Sequence, residues 1–129
     1  MSIDASGPEL EILKLLWQHR RLSAREIHQH IEQSRDWAYS TTRTVLERMV
    51  KKKQLHKETV HGLIVYAPAV EKVPTLVAMI TEFTSRVLGI RPSAAIPMFA
   101  ESELLDKDEL KEIEALLEAD KKRGKKERK

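Results

Sequence analysis

The chain has no cysteine. Disulfide frameworks, thiolate metal centres and cysteine nucleophiles are excluded together, while the compartment stays open. Aromatic residues make up only 5% and glycines number 4, which argues against all-β folds and against Gly-rich loops that cradle phosphates. No apolar run approaches the roughly 18 residues needed to span a bilayer, and no signal peptide opens the chain. The protein is therefore expected to be soluble and cytoplasmic, without membrane insertion. Its 129 residues, 41% of them hydrophobic, suffice for one or two small domains with modest cores, not for a large enzyme cleft. Nucleophile-elbow, P-loop and paired-acid motifs are missing, so neither an enzyme nor a cofactor is expected.

Charge is present but unevenly placed. The net value of +3 conceals a basic stretch at 37–57, with six Lys or Arg against one acid. Residues 100–119 hold eight acids and two cations, which reads as a solvated helix face. A local basic patch is an electrostatic footprint for nucleic acid. The closing "KKRGKKERK" reads as a frayed terminus, and residues 123–129 are expected to form a basic disordered tail.

Within the basic stretch, "YSTTRTVLERMVKKK" places Thr42, Val45, Leu46, Met49 and Val50 on one face of a helix. Ser40, Thr44, Glu47, Arg48 and Lys51 fall on the other, with Thr41 and Arg43 at its edges. Short hydroxyl side chains are poor helix formers, so their cluster in the first turn needs a reason. A recognition helix in a DNA major groove supplies one: its N-terminal residues reach base edges while Arg and Lys meet phosphates.

Two helices are predicted before it. "SGPELEILKLLWQHR" opens with Ser6 and Glu9 at capping-box spacing and carries a stripe of Leu10, Leu13, Leu16 and Trp17. "LSAREIHQHIEQ" repeats the box with Ser23 and Glu26 before Ile27 and Ile31. After the third helix, "LHKETVHGLIVYAP" reads as two strands around a Gly-containing turn, ended by Pro68. Three helices and a hairpin over residues 1–70 are the order of a winged helix-turn-helix, whose wing brings Lys57 and His61 towards the DNA backbone.

Residues 71–122 form a second predicted unit. Leu76, Ile80, Phe83 and Val87 recur at 4-3-4 spacing, a seam suited to helix pairing. "RPSAAIPMFAE" predicts a short helix interrupted near Pro97. A last helix is capped by Asp106 and Glu109 and buries Leu110, Ile113, Leu116 and Leu117. So sparse a core is completed by pairing with a second copy, as helix-turn-helix dimers do on two half-sites. The fold class expected is mainly α: an N-terminal winged helix-turn-helix and a C-terminal helical dimerisation domain using Leu76, Ile80, Phe83, Val87, Leu110, Ile113 and Leu117.

Nearly the whole chain resembles the penicillinase-repressor (BlaI/MecI/CopY) family of bacterial winged-helix regulators. The resemblance rests on "PELEILKLLW", the W-x-x-S-T-x-R-T-V-L-x-R-M-V-K-K pattern from Trp37, "VYAP", "RVLG" with "PSAAIPMFAE", and a closing L-x-x-x-E-L-x-E-I-x-x-L-L. It implies a homodimer that represses by occupying a palindromic double-stranded operator. It implies DNA contacts from Thr41, Arg43, Thr44 and Arg48, with Ser40 where relatives often have Lys. Ala38-Tyr39 stand where the family usually has Ser-Pro, and Lys53 stands where Gly commonly ends the helix. Copper-responsive members carry paired C-terminal cysteines, absent here. The β-lactam-responsive members resemble substrates of a membrane-bound sensor protease, a partner class the resemblance brings with it. That protease cuts an Asn-Phe bond, and the corresponding pair is Met98-Phe99.

The full expected DNA-binding set is Trp37, Ser40, Thr41, Arg43, Thr44, Arg48, Lys51, Lys52, Lys57 and His61, with Trp37 balanced between packing and phosphate contact. Release of DNA is assigned to proteolysis or an effector. Five histidines, His19, His28, His30, His56 and His61, lack the thiolates or carboxylate cluster of a metal site, so no metal is expected. The competing reading is a winged-helix protein-interaction module without specific DNA readout. RNA is disfavoured because aromatic platforms are scarce.

Overall fold

The computed structural model describes residues 7–127, with side chains through 119, and the chain divides into two compact units between Lys72 and Val73.

The N-terminal unit runs α1 (Gly7–His19), β1 (Leu22–Ser23), α2 (Ala24–Ile31), α3 (Tyr39–Lys51), β2 (Leu55–Val60) and β3 (Leu63–Pro68). In α1 the buried face is Glu9, Ile12, Leu13 and Leu16. This corrects the expected stripe, since Leu10 and Trp17 are only half-buried. Counting apolar residues alone missed that a carboxylate, Glu9, lies on the inward face. The Ser6 part of the expected capping box lies outside the described residues.

The second box forms in full. Glu26 N–H donates to Ser23 Oγ at 3.2 Å, and Ser23 N–H donates to Glu26 Oε1 at 2.9 Å. Both orphan donors at the start of α2 are thereby satisfied. In α3, Thr42, Val45, Leu46 and Met49 are buried, and Ala38 provides no side-chain cap. The helix closes through Lys53 in the left-handed region at φ 63°, with Lys53 N–H donating to Val50 O at 3.0 Å and Gln54 N–H to Met49 O at 2.9 Å. That paired closure is the geometry in which Gly is normally preferred.

The wing is a two-residue hairpin. His61 and Gly62 have φ of 50° and 79°, the mirror-image turn that matches strand twist. Pairing runs from Val60↔Leu63 to Leu55↔Pro68. The sheet has a third strand, β1, antiparallel to β3 with Leu22 opposite Tyr66, in the order β1-β3-β2. One core, built on Ile12, Leu16, Ile27, Leu46, Met49 and Tyr66 among others, joins the three helices to this sheet. The unit is a winged helix-turn-helix, and its packing fixes which face of α3 looks outward.

The C-terminal unit contains α4 (Lys72–Phe83), a π-helical turn (Thr84–Leu88), a 3₁₀ turn (Pro92–Ala95), α5 (Ile96–Phe99) and α6 (Lys107–Glu127). The seam at 4-3-4 spacing therefore does not continue along one α-helix. Widening to i→i+5 hydrogen bonds after Phe83 rotates Val87 away from the α-helical line, and Thr84 Oγ1 donates to Ile80 O at 2.7 Å at the transition. Pro97 lies in the first turn of α5 and begins that helix instead of interrupting one, because its missing N–H is an orphan there anyway. Asp106 and Glu109 cap α6 reciprocally, Glu109 N–H to Asp106 Oδ1 at 2.7 Å and Asp106 N–H to Glu109 Oε1 at 3.1 Å.

This unit's own core holds Val73, Ile113 and Leu117, with Val77, Ile80, Ile96 and Leu105 packed against it. Ile113 and Leu117, expected at a dimer interface, are thus enclosed within the protomer. Leu110 is half-buried, and Leu116, expected inside, is exposed. The helical backbone of α6 continues to Glu127 where a disordered tail was expected from residue 123; Lys, Arg and Glu are good helix formers, and only Gly124 opposes them. Among the described residues no single helix is long and apolar enough to cross a membrane, and only a pair bent by 100°, Lys72–Leu88 with Pro92–Phe99, has that length and composition.

Candidate nucleic-acid interface

Burial of Thr42, Val45, Leu46 and Met49 turns the opposite side of α3 to solvent. Arg43, Thr44, Arg48 and Lys51 are exposed there and line one shallow depression together with Glu47. Ser40 is exposed and Thr41 half-buried in the first turn. The helix therefore presents hydroxyls at its beginning and cations along its length. Thr44 Oγ1 donates to Ser40 O at 3.0 Å, so the hydroxyl proton is satisfied by the helix itself. What remains outward is a methyl group and the acceptor capacity of the oxygen.

Two neighbouring cations are already engaged inside the fold. Lys52 Nζ lies 3.0 and 3.1 Å from the two carboxylate oxygens of Glu9, whose side chain is 3% exposed. Lys52, expected among the DNA contacts, is paired with Glu9 as a counter-ion in this fold. Spacing placed it beside Lys51, but the helix turns it back towards α1. Lys57 Nζ lies 2.7 Å from Glu47 Oε1 and so spans from the wing to α3. The Glu47 carboxyl is held below the usual carboxylate range, first by the Lys57 hydrogen bond, and the same contact raises the Lys57 ammonium. Tyr66 OH also donates to Glu47 Oε1, at 3.3 Å; burial first, then the Glu47 charge, raises its phenol. Glu47 was legible as the single acid among six cations, yet its tie to the wing was not.

His61 is exposed at the hairpin tip, flanked by exposed Val60, Leu63 and Ile64. Trp37 packs against the core, and its Nε1–H is enclosed without an acceptor among the described residues. Trp17 is anchored differently, donating from Nε1 to Val70 O at 3.0 Å.

The start of α3 is held by groups that no sequence pattern marked. His28 Nδ1 and Thr42 Oγ1 are 2.8 Å apart in a buried contact, and Arg25 lies 4.0 Å from the Tyr39 ring centroid. His28 also meets Tyr39 edge-on at 5.5 Å. A helical start without a side-chain cap is thus tied to α2 instead. His19 and His30 pack with centroids 5.1 Å apart, but among the described residues no group of three ligating side chains is placed to hold a metal.

In the C-terminal unit, Leu76 is buried and Ile80 half-buried, while Phe83 is 54% and Val87 66% exposed. Met98 is 76% exposed and Phe99 half-buried, and both lie on the short helix α5.

The chain is 26% identical to the penicillinase repressor of Bacillus licheniformis over 120 residues, covering 93% of this chain and 94% of that protein. It is 26% identical to the methicillin resistance regulatory protein MecI of Mammaliicoccus sciuri over 114 residues, covering 88% and 93% respectively. The MecI of Staphylococcus aureus strain N315 is 25% identical over the same shares. The family model described as penicillinase repressor matches residues 5–119. With that match spanning both compact units, the chain belongs to the penicillinase repressor family.

Proposed function

We propose that the protein is a dimeric, DNA-binding transcriptional repressor that occupies a palindromic operator through α3 and the wing. The observation that carries this is the exposed row of Arg43, Thr44, Arg48 and Lys51 on a helix whose other face is locked into the core. Hydroxyl and methyl groups there suit base edges, and the cations suit phosphates. The names of the relatives, a penicillinase repressor and a methicillin resistance regulatory protein, favour the same reading.

Dimerisation is assigned to the C-terminal unit. Phe83, Val87, Leu88, Ile90 and Met98 are apolar side chains left exposed in the single chain. Burying them against a second copy follows from the hydrophobic effect, and a helix-turn-helix dimer uses half-sites about 34 Å apart. Linking two half-sites raises avidity by roughly 10²–10⁴. A signal that cuts the chain near Met98-Phe99, or an effector that alters helix spacing, releases the operator by removing that gain.

The test is fluorescence anisotropy with DNA from upstream of the protein's own gene and with scrambled DNA, each at two salt concentrations. Thr44→Ala is expected to lose about 1–3 kcal/mol on the specific site while sparing scrambled DNA. Lys51→Ala is expected to weaken both and to flatten the salt dependence by about 0.9 for each phosphate that Lys51 neutralises. Equal affinity of the wild type for the two DNAs refutes operator binding and favours a protein-interaction module.

A further inference from the structure

Glu47 is an unexpected residue for a DNA-facing surface, because a carboxylate repels phosphates. It nevertheless lies one turn beyond Arg43 and Thr44, in the depression that they share with Arg48 and Lys51. The wing holds it there. Lys57 Nζ at 2.7 Å and Tyr66 OH at 3.3 Å both meet the same oxygen, Oε1. Tyr66 is 4% exposed and sits on the central strand, paired with Leu22 on one side and Lys57 on the other. One oxygen is thus fixed by a rigid element. The side chain remains 44% exposed, so the carboxylate keeps acceptor capacity towards solvent. The Lys57 contact keeps the group ionised near neutral pH, so it can only accept.

In the major groove the only hydrogen-bond donors on base edges are the exocyclic amines of cytosine and adenine. The adenine amine stands beside the N7 acceptor of the same base, which opposes a carboxylate; the cytosine N4 amine has no such neighbour on its own base. Acidic side chains accordingly pair with cytosine N4, whereas Asn or Gln takes adenine through N6 and N7 together. We propose that Glu47 is a specificity-determining residue that reads one cytosine in each operator half-site, with its exposed carboxylate accepting from the N4 amine. Tyr66 and Lys57 act as positioning residues that aim it. This rests on α3 being the recognition helix.

The experiment selects bound sequences from a randomised half-site library with the full-length wild type, Glu47→Gln, Glu47→Ala and Tyr66→Phe. Wild type is expected to select cytosine at one position of each half-site, by about 5- to 150-fold over other bases. Glu47→Gln retains an acceptor for Lys57 and Tyr66, so the wing stays in place while the outward group becomes an amide. It is expected to switch that one position to adenine. Glu47→Ala should leave all four bases within about twofold there, and Tyr66→Phe should weaken the cytosine preference at that position alone. If every variant keeps the wild-type preferences and only overall affinity changes, Glu47 merely pins the wing and the proposal is overturned. Selection of adenine by wild type at the Glu47-dependent position overturns it as well. A wild type that selects no sequence overturns the recognition-helix reading itself, a different failure.

Discussion

Replacing Lys52 by Met removes a charge from the basic stretch, and two opposite outcomes follow from two placements of that side chain. The ammonium contacts both oxygens of Glu9, at 3.0 and 3.1 Å, and Glu9 is 2% exposed. Removing one partner of a buried pair typically costs about 3–5 kcal/mol, because the other charge stays in a poorly solvated site. Lys52 itself is 31% exposed, so water relieves part of this penalty and about 2–3 kcal/mol is the expected loss. With a urea slope of roughly 1 kcal/mol/M for a unit this small, the midpoint should fall by about 2–3 M. Trp17 and Trp37 are the only two tryptophans, and both lie in the N-terminal unit, so intrinsic fluorescence reports its unfolding selectively. Adding Glu9→Leu to Lys52→Met should recover most of the loss, since an apolar pair replaces the ionic one. The salt slope of DNA binding should be unchanged in conditions where the variant is folded. A Lys52→Met protein of wild-type stability whose salt slope flattens would refute the assignment and return Lys52 to the phosphates.

Two further outcomes are expected. Lys53→Gly should raise stability by about 0.5–1 kcal/mol, because the left-handed backbone at φ 63° strains any side chain and the gain outweighs the added freedom of the unfolded chain; a lower urea midpoint would show that the strain is absent. Acid should also unfold the N-terminal unit. Glu26 lies below the usual carboxylate range, chiefly through the Ser23 N–H; Glu47 through Lys57; Glu11 despite the opposing effect of burial, through Ser34 and Arg35. Their stabilisation is complete above about pH 4.5 and lost as pH falls through the lowered values, so the urea midpoint should drop between pH 5 and 3. Glu26→Gln should drop less over that interval, and an identical fall in the variant would remove the capping box from the account.

Much of the N-terminal unit was legible in short-range patterns. The inward face of α3, the Ser23–Glu26 box and the two-strand wing follow from periodicity, capping spacing and turn chemistry, as does the Asp106–Glu109 box of the C-terminal unit; all of these are local signals. The uncapped start at Ala38 and the left-handed closure at Lys53 were legible as departures from the family's pattern. Contacts between distant segments arise only once the chain is folded. β1 is two residues long and exists because β3 offers it hydrogen bonds. The Glu9–Lys52 pair joins residues 43 apart, and Glu47 is anchored from the wing. Long-range packing likewise enclosed Ile113 and Leu117 and exposed Phe83. Local spacing states which face a side chain is on; which charge or surface meets that face is set by the folded chain, because burial and pairing depend on neighbours remote in sequence.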